Sequence, residues 1–79
     1  MRIDKYLKVS RIIKRRTVAK EVLDMGRVSV NGRVVKAGYE VKVGDRITLD
    51  IPGGPRTVIV VAIRDNVPAK DAESLYRSV

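Results

Sequence analysis

Eight basic side chains stand in the first 20 residues: Arg2, Lys5, Lys8, Arg11, Lys14, Arg15, Arg16 and Lys20. A single acid, Asp4, accompanies them, so this quarter of the chain carries +7. The remaining 59 residues hold nine basic and eight acidic side chains and net +1. Almost the whole formal charge of +8 is therefore gathered at one end. Charge spread evenly would speak of solubility; charge segregated this way speaks of a docking face for a polyanion. Lys and Arg that meet a phosphate backbone release condensed counter-ions, which drives binding and makes it salt-sensitive. Arg adds a planar fork suited to phosphate oxygens, and Arg15-Arg16-Thr17 places two such forks beside the start of a helix. Asp4 reads as an N-cap that also orients Arg2 or a neighbouring base.

Other chemistry lacks its parts. The chain has no Cys and no His. That removes thiolate nucleophiles, disulfides, the commonest metal ligand and the usual general base. No acids pair within a motif, and Gly53-Gly54, flanked by prolines, is no phosphate-cradling loop. The residues offer no catalytic, metal-binding or cofactor-binding candidates. Aromatic side chains are limited to Tyr6, Tyr39 and Tyr76. Binding of single strands by base stacking is therefore disfavoured against recognition of folded RNA by shape and backbone. DNA would call for a long basic recognition helix, which the pattern lacks. A membrane-surface or acidic-protein binder is the alternative use of the same patch. Residues 1–16 offer it Ile3, Leu7, Val9, Ile12 and Ile13, without the Trp or Phe of interfacial helices. A small enzyme is the least favoured class. No apolar run reaches the length of a membrane span, and Met1-Arg2-Ile3-Asp4-Lys5 does not read as a signal peptide. A monomer in the cytoplasm is expected.

Elements that would position these residues follow from spacing. Asp4 and the pair Ile3/Leu7 predict a short first helix. Ser10 to Arg16 reads as a connector anchored by Ile12 and Ile13. Thr17 is the expected N-cap of a second helix. Val18, Ala19, Val22, Leu23 and Met25 give it an apolar stripe, and Gly26 stops it. The period then changes to two. Val28 and Val30, then Asn31-Gly32, then Arg33-Val34-Val35 predict a hairpin in which Val30 faces Arg33 and Val28 faces Val35. Gly44-Asp45 reads as a turn and not as a metal ligand. Ile47, Leu49 and Ile51 mark a half-buried strand. Pro52-Gly53-Gly54-Pro55 is expected to be a loop, Thr57 to Ile63 a strand, and Pro68 to Val79 to contain a short helix carrying Ala69, Ala72, Leu75 and Tyr76. Helices segregated from a run of strands mean an α+β fold: two N-terminal helices packed on a small antiparallel sheet of four to five strands. At 79 residues the chain is expected to be one domain, with its motifs in 1–50 and a strand pair and tail in 51–79.

Four motifs, in order, carry a resemblance. Arg2-Ile3-Asp4-Lys5-Tyr6-Leu7, Arg16-Thr17-x-Ala19, Gly26-x-Val28-x-Val30-Asn31-Gly32 and Val43-Gly44-Asp45 resemble the RNA-binding domain named after ribosomal small-subunit protein S-four. In that family two helices and a hairpin present a basic surface to structured RNA. Arg15 stands where the family pattern has Ser. The Arg15-Arg16 doublet and Leu7-Lys8-Val9-Ser10-Arg11 look most like the small stand-alone members. These include ribosome-associated heat-shock proteins and factors of bacterial ribosome quality control. The resemblance implies RNA contacts at Arg2, Asp4, Arg11, Arg15 and Arg16. Charge placement adds Lys5, Lys8, Lys14 and Lys20. It further implies rRNA and P-site peptidyl-tRNA on the obstructed large ribosomal subunit as partners. An RqcH-type elongation factor would work alongside, in alanine tailing of stalled nascent chains. A general binder of structured RNA, or of RNA during ribosome assembly, is the alternative within the family.

Overall fold

The computed structural model describes residues 1–79. Helix α1 runs over Ile3–Val9 and helix α2 over Arg16–Asp24. Five strands follow: β1 (Val28–Val30), β2 (Arg33–Val34), β3 (Arg46–Ile51), β4 (Gly54–Val60) and β5 (Tyr76–Ser78). A 3-10 helix over Ala69–Leu75 stands between β4 and β5. The sheet is antiparallel throughout, in the order β2-β1-β3-β4-β5. The α+β expectation holds.

Strand period sorts the side chains. Val28 and Val30 pair with Leu49 and Ile47, and Ile47 pairs with Val58. These alternate residues point to one face, where Ile3, Tyr6 and Leu7 of α1, Ala19 and Leu23 of α2, and Leu75 complete a single buried cluster. The other face carries Ser29, Thr48 and Thr57, with a 3.2 Å hydrogen bond between the two threonine hydroxyls. Both helices thus lie on the same side of the sheet, and most basic side chains of the first 20 residues are exposed on their outer surface.

The Asn31-Gly32 hairpin forms in the expected register, Val30 opposite Arg33, with φ of 52° and 85° at its two turn residues. Gly26, at φ 74°, ends α2 with its N–H on the Leu23 carbonyl and the Arg27 N–H on the Val22 carbonyl, the two bonds of a Schellman stop.

Both expected N-caps are corrected. Helix α1 starts at Ile3, two residues earlier than an Asp4 cap allows, with extended Arg2 as the cap residue. The Ile3 N–H donates to the Tyr39 carbonyl at 2.7 Å and the Asp4 N–H to the Ala37 carbonyl at 3.4 Å. Tertiary acceptors do what a capping side chain does elsewhere, and Asp4 is freed for another task. Helix α2 starts at Arg16 with Arg15 as its cap residue, so Thr17 lies inside its first turn. Its apolar stripe is narrower than expected: Ala19 and Leu23 are buried, whereas Val18 and Met25 are exposed.

The C-terminal third departs most. Only Pro52-Gly53 forms the turn, since Ile51 pairs with Gly54 and Asp50 with Pro55. Pro is tolerated there because β5 reaches only Val58 to Val60, which leaves β4 an edge at Pro55. Strand β4 ends at Val60 and not Ile63, because the Val61 and Ala62 N–H groups turn to the Leu75 carbonyl, at 2.9 and 3.1 Å. The tail helix is a 3-10 helix that buries Ala72 and Leu75, three residues apart as its period requires. Tyr76 leaves it to open β5, with Arg56 hydrogen-bonded to its hydroxyl at 3.0 Å and lying over its ring.

Candidate nucleic-acid interface

Asp4 is the only acid of the basic segment, and it is buried. Position two of α1 turns its carboxylate toward the start of α2 rather than toward solvent. Each oxygen takes one guanidinium: Oδ2 accepts from Arg2 Nη2 at 3.2 Å and Oδ1 from Arg16 Nη2 at 3.3 Å. Oδ1 also accepts the Lys5 N–H at 2.8 Å. Residues 14 positions apart in sequence are thereby fixed on one side chain. Burial pushes the Asp4 carboxyl up. The Arg16 hydrogen bond, the Lys5 N–H and the charges of Arg16 and Arg2 outweigh it, leaving the pKa below the ordinary carboxylate value.

The two arginines are not consumed by this pairing. Both side chains remain 48 % exposed, so each presents its outer N–H groups to solvent. With Thr17 and Lys20 they line a cavity of about 270 Å³ that contains no hydrophobic residue. Three cations against one carboxylate give it a formal charge of +2. Thr17 and Lys20 are one helical turn apart on α2 and so share a face. The arrangement suits a phosphate group: bidentate forks held in place, an exposed ammonium and a hydroxyl.

The structure therefore brings Arg2, Asp4, Arg16 and Lys20 together. Lys8, Arg11, Lys14 and Arg15 surround the helices as exposed side chains without an acidic partner. Lys5 departs from the group. Its Nζ lies 3.1 Å from Asp65 Oδ1, an exposed pair of the kind worth ~0–1 kcal/mol, so Lys5 is readily released. Arg11 sits at φ 60°, left-handed backbone that an arginine rarely adopts. Tyr6 does not offer its ring to a base. It is fully buried and donates its hydroxyl to the Leu75 carbonyl at 2.7 Å, and burial, with the nearby Tyr76, raises its pKa.

Sequence reasoning gave Thr17 to a helix cap. Its spacing of three from Lys20, on a helix that starts at Arg16, is the signal that assigns it to the cavity instead. None of the titratable side chains forms a cluster fit for a metal ion.

The S4 domain family matches residues 1–47, the span that holds α1, α2, the hairpin and the turn before β3. This chain belongs to the S4 domain family. It is 49 % identical over 76 residues to the RQC P-site tRNA stabilizing factor of Halalkalibacterium halodurans, covering 96 % of this chain and 86 % of that one. The factor of the same name from Bacillus subtilis is likewise 49 % identical over 76 residues, covering 96 % of this chain and 88 % of that one. Among solved structures, heat shock protein 15 of Vibrio cholerae, described as trimeric, superposes with a TM-score of 0.92 at 34 % identity. The match covers 100 % of this S4 domain chain and 81 % of that protein. The likeness extends past the family's matched span, so the 3-10 helix and β5 belong to the shared fold.

Proposed function

We propose that this chain is a non-catalytic RNA-binding protein of ribosome quality control. It binds the obstructed large ribosomal subunit through rRNA and steadies the tRNA in the P site. In the cytoplasm, as a monomer and a single domain, it supports alanine tailing of stalled chains beside an RqcH-type elongation factor. The observation that carries the reading is the cavity in which one buried carboxylate holds Arg2 and Arg16 as a fixed pair beside Lys20. Fixed guanidiniums lose little side-chain entropy on meeting phosphate, which favours RNA of defined shape over a flexible strand. The role for which the relatives are named, stabilizing a P-site tRNA, supplies the ribosomal setting.

The residues assigned to RNA are Arg2, Arg11, Arg15, Arg16, Lys8, Lys14 and Lys20, with Lys5 recruited once Asp65 lets go. Asp4 acts through the two arginines it orders. Six such phosphate contacts correspond to a log–log salt slope of about −4 to −5. The test is co-sedimentation with large subunits carrying a P-site tRNA, compared with empty subunits and with the double variant Arg16→Ala/Lys20→Ala. Alanine is chosen at position 16 because Arg2 still neutralises Asp4. Binding that prefers the tRNA-bound subunit and collapses in the variant is expected. Equal binding to both subunits, or an unaffected variant, would sink the reading.

A further inference from the structure

The strap over residues 39–42 clamps Arg2 from both sides. The Ile3 N–H donates to the Tyr39 carbonyl at 2.7 Å, and the Val41 N–H donates to the Met1 carbonyl at 3.0 Å. Between these two bonds Arg2 stands opposite Glu40 as an antiparallel bridge. The backbone of a residue whose guanidinium lines the cavity is thus set by a segment that contributes nothing to the cavity. That segment lies outside every helix and strand, so it needs fixing from elsewhere.

Much of the fixing comes from a single carboxylate oxygen, beside the 2.9 Å pair of Glu40 Oε2 with the Met1 ammonium. Asp45 is buried, and its Oδ2 accepts the Tyr39 hydroxyl at 3.0 Å and the Lys42 N–H at 2.9 Å. One atom therefore ties both ends of the strap. Its other oxygen, Oδ1, accepts Asn31 Nδ2 at 3.1 Å. Asn31 in turn takes the Arg46 N–H on its side-chain oxygen at 3.0 Å. Asp45 thus anchors the strap to the hairpin tip and to the start of β3. Burial, the hydrogen bond to Asp45 and its charge all raise the Tyr39 pKa, so the hydroxyl stays protonated and donating. The strap runs between the Asn31-Gly32 hairpin on one side and the Lys42–Asp45 turn on the other.

We infer that Asp45 and Tyr39 are positioning residues for RNA binding: by bracing the strap they set the angle at which Arg2 enters the cavity. The inference rests on the RNA reading of that cavity. It gives Asn31-Gly32 and Gly44-Asp45 a shared task beyond turning the chain.

Tyr39→Phe removes one hydroxyl and leaves Asp45 bonded to Lys42 and Asn31, so the fold survives. Affinity for tRNA-bound large subunits is measured for wild type, Tyr39→Phe, Arg2→Ala and the double variant, at several salt concentrations. Loss of one hydrogen bond that orders Arg2 is expected to weaken binding about three- to tenfold. The salt slope should become shallower by up to about 0.9, one phosphate contact. The double variant should bind no worse than Arg2→Ala alone, because both changes act through the same side chain. Hydrogen exchange at the Ile3 amide, which the strap protects, should accelerate in Tyr39→Phe while the amides of β3 and β4 stay protected. Asp45→Ala, which removes the accepting oxygen that an Asn would keep, should reproduce both effects. Independent, additive losses, or an Ile3 amide that exchanges as in wild type, would overturn the inference and leave the RNA reading standing. An Arg2→Ala variant with undiminished affinity would overturn the RNA role of the cavity, and the positioning role with it.

Discussion

Replacing Arg11 by Gly should strengthen the fold and weaken binding at the same time. Helix α1 ends at Val9, Ser10 is its C-cap, and Arg11 occupies the next position at φ 60°. That position usually holds Gly, as Gly26 does after α2 at φ 74°. A left-handed backbone costs a residue with a Cβ roughly 1–2 kcal/mol. Gly recovers this but gives up about 0.5–1 kcal/mol of extra unfolded-state entropy. The net gain is about 0.5–1 kcal/mol, which for a chain of this size raises Tm by about 2–8 °C. No contact opposes the change: the Arg11 side chain is exposed and joins none of the ion pairs or side-chain hydrogen bonds. The 3.0 Å bond from its N–H to the Lys8 carbonyl is backbone and survives. If the arginine is kept at that cost because it meets phosphate, the variant should lose about 0.7–0.9 from the salt slope and several-fold in affinity. Thermal unfolding followed by circular dichroism gives the first number, and titration of subunits at four salt concentrations gives the second. A variant that melts lower shows that the backbone at this position is not strained. One that melts higher yet binds as before shows that Arg11 serves no RNA contact.

Two further outcomes are expected. The Asp4 carboxyl has a lowered pKa in the folded state, so its contribution to stability is fully present above the ordinary carboxylate pKa of about 4 and is lost as pH falls through the depressed value. Urea midpoints between pH 5 and 2 should therefore fall more for wild type than for Asp4→Asn; parallel curves would show that the carboxylate gains nothing from Arg2 and Arg16. Tyr6→Phe removes a buried hydroxyl bonded to the Leu75 carbonyl and should cost about 1–2 kcal/mol. It should also speed amide exchange at Val61 and Ala62, which share that carbonyl; unchanged exchange there would show that Tyr6 does not hold the C-terminal segment.

Local rules wrote much of the N-terminal two-thirds. The segregation of charge, the Gly26 stop, the Asn31-Gly32 hairpin with its register and the alternation through Ile47 and Leu49 each depend on a few adjacent residues. The candidate site was legible as a list and not as an arrangement. Arg2, Asp4, Arg16 and Lys20 converge, whereas Lys5 turns to Asp65, because which residues meet across α1 and α2 depends on how two helices lie on a sheet. Nothing adjacent to Tyr6 says what its hydroxyl meets, and only the return of the chain at Leu75 makes it a buried donor.

The amino-acid order alone fixed where the charge gathers, where periods of 3.6 give way to periods of two, and that Gly26 and Asn31-Gly32 turn the chain. These follow from the chemistry of neighbours. It did not fix how α1 begins, where β4 ends or what Asp4 and Asp45 do. Each of those depends on a partner far along the chain: Tyr39 and Ala37 for Ile3 and Asp4, Leu75 for Val61, Arg16 for Asp4, and Tyr39 with Asn31 for Asp45. A buried polar group must find a partner wherever the fold supplies one, and the packing of helices on the sheet decides which it finds.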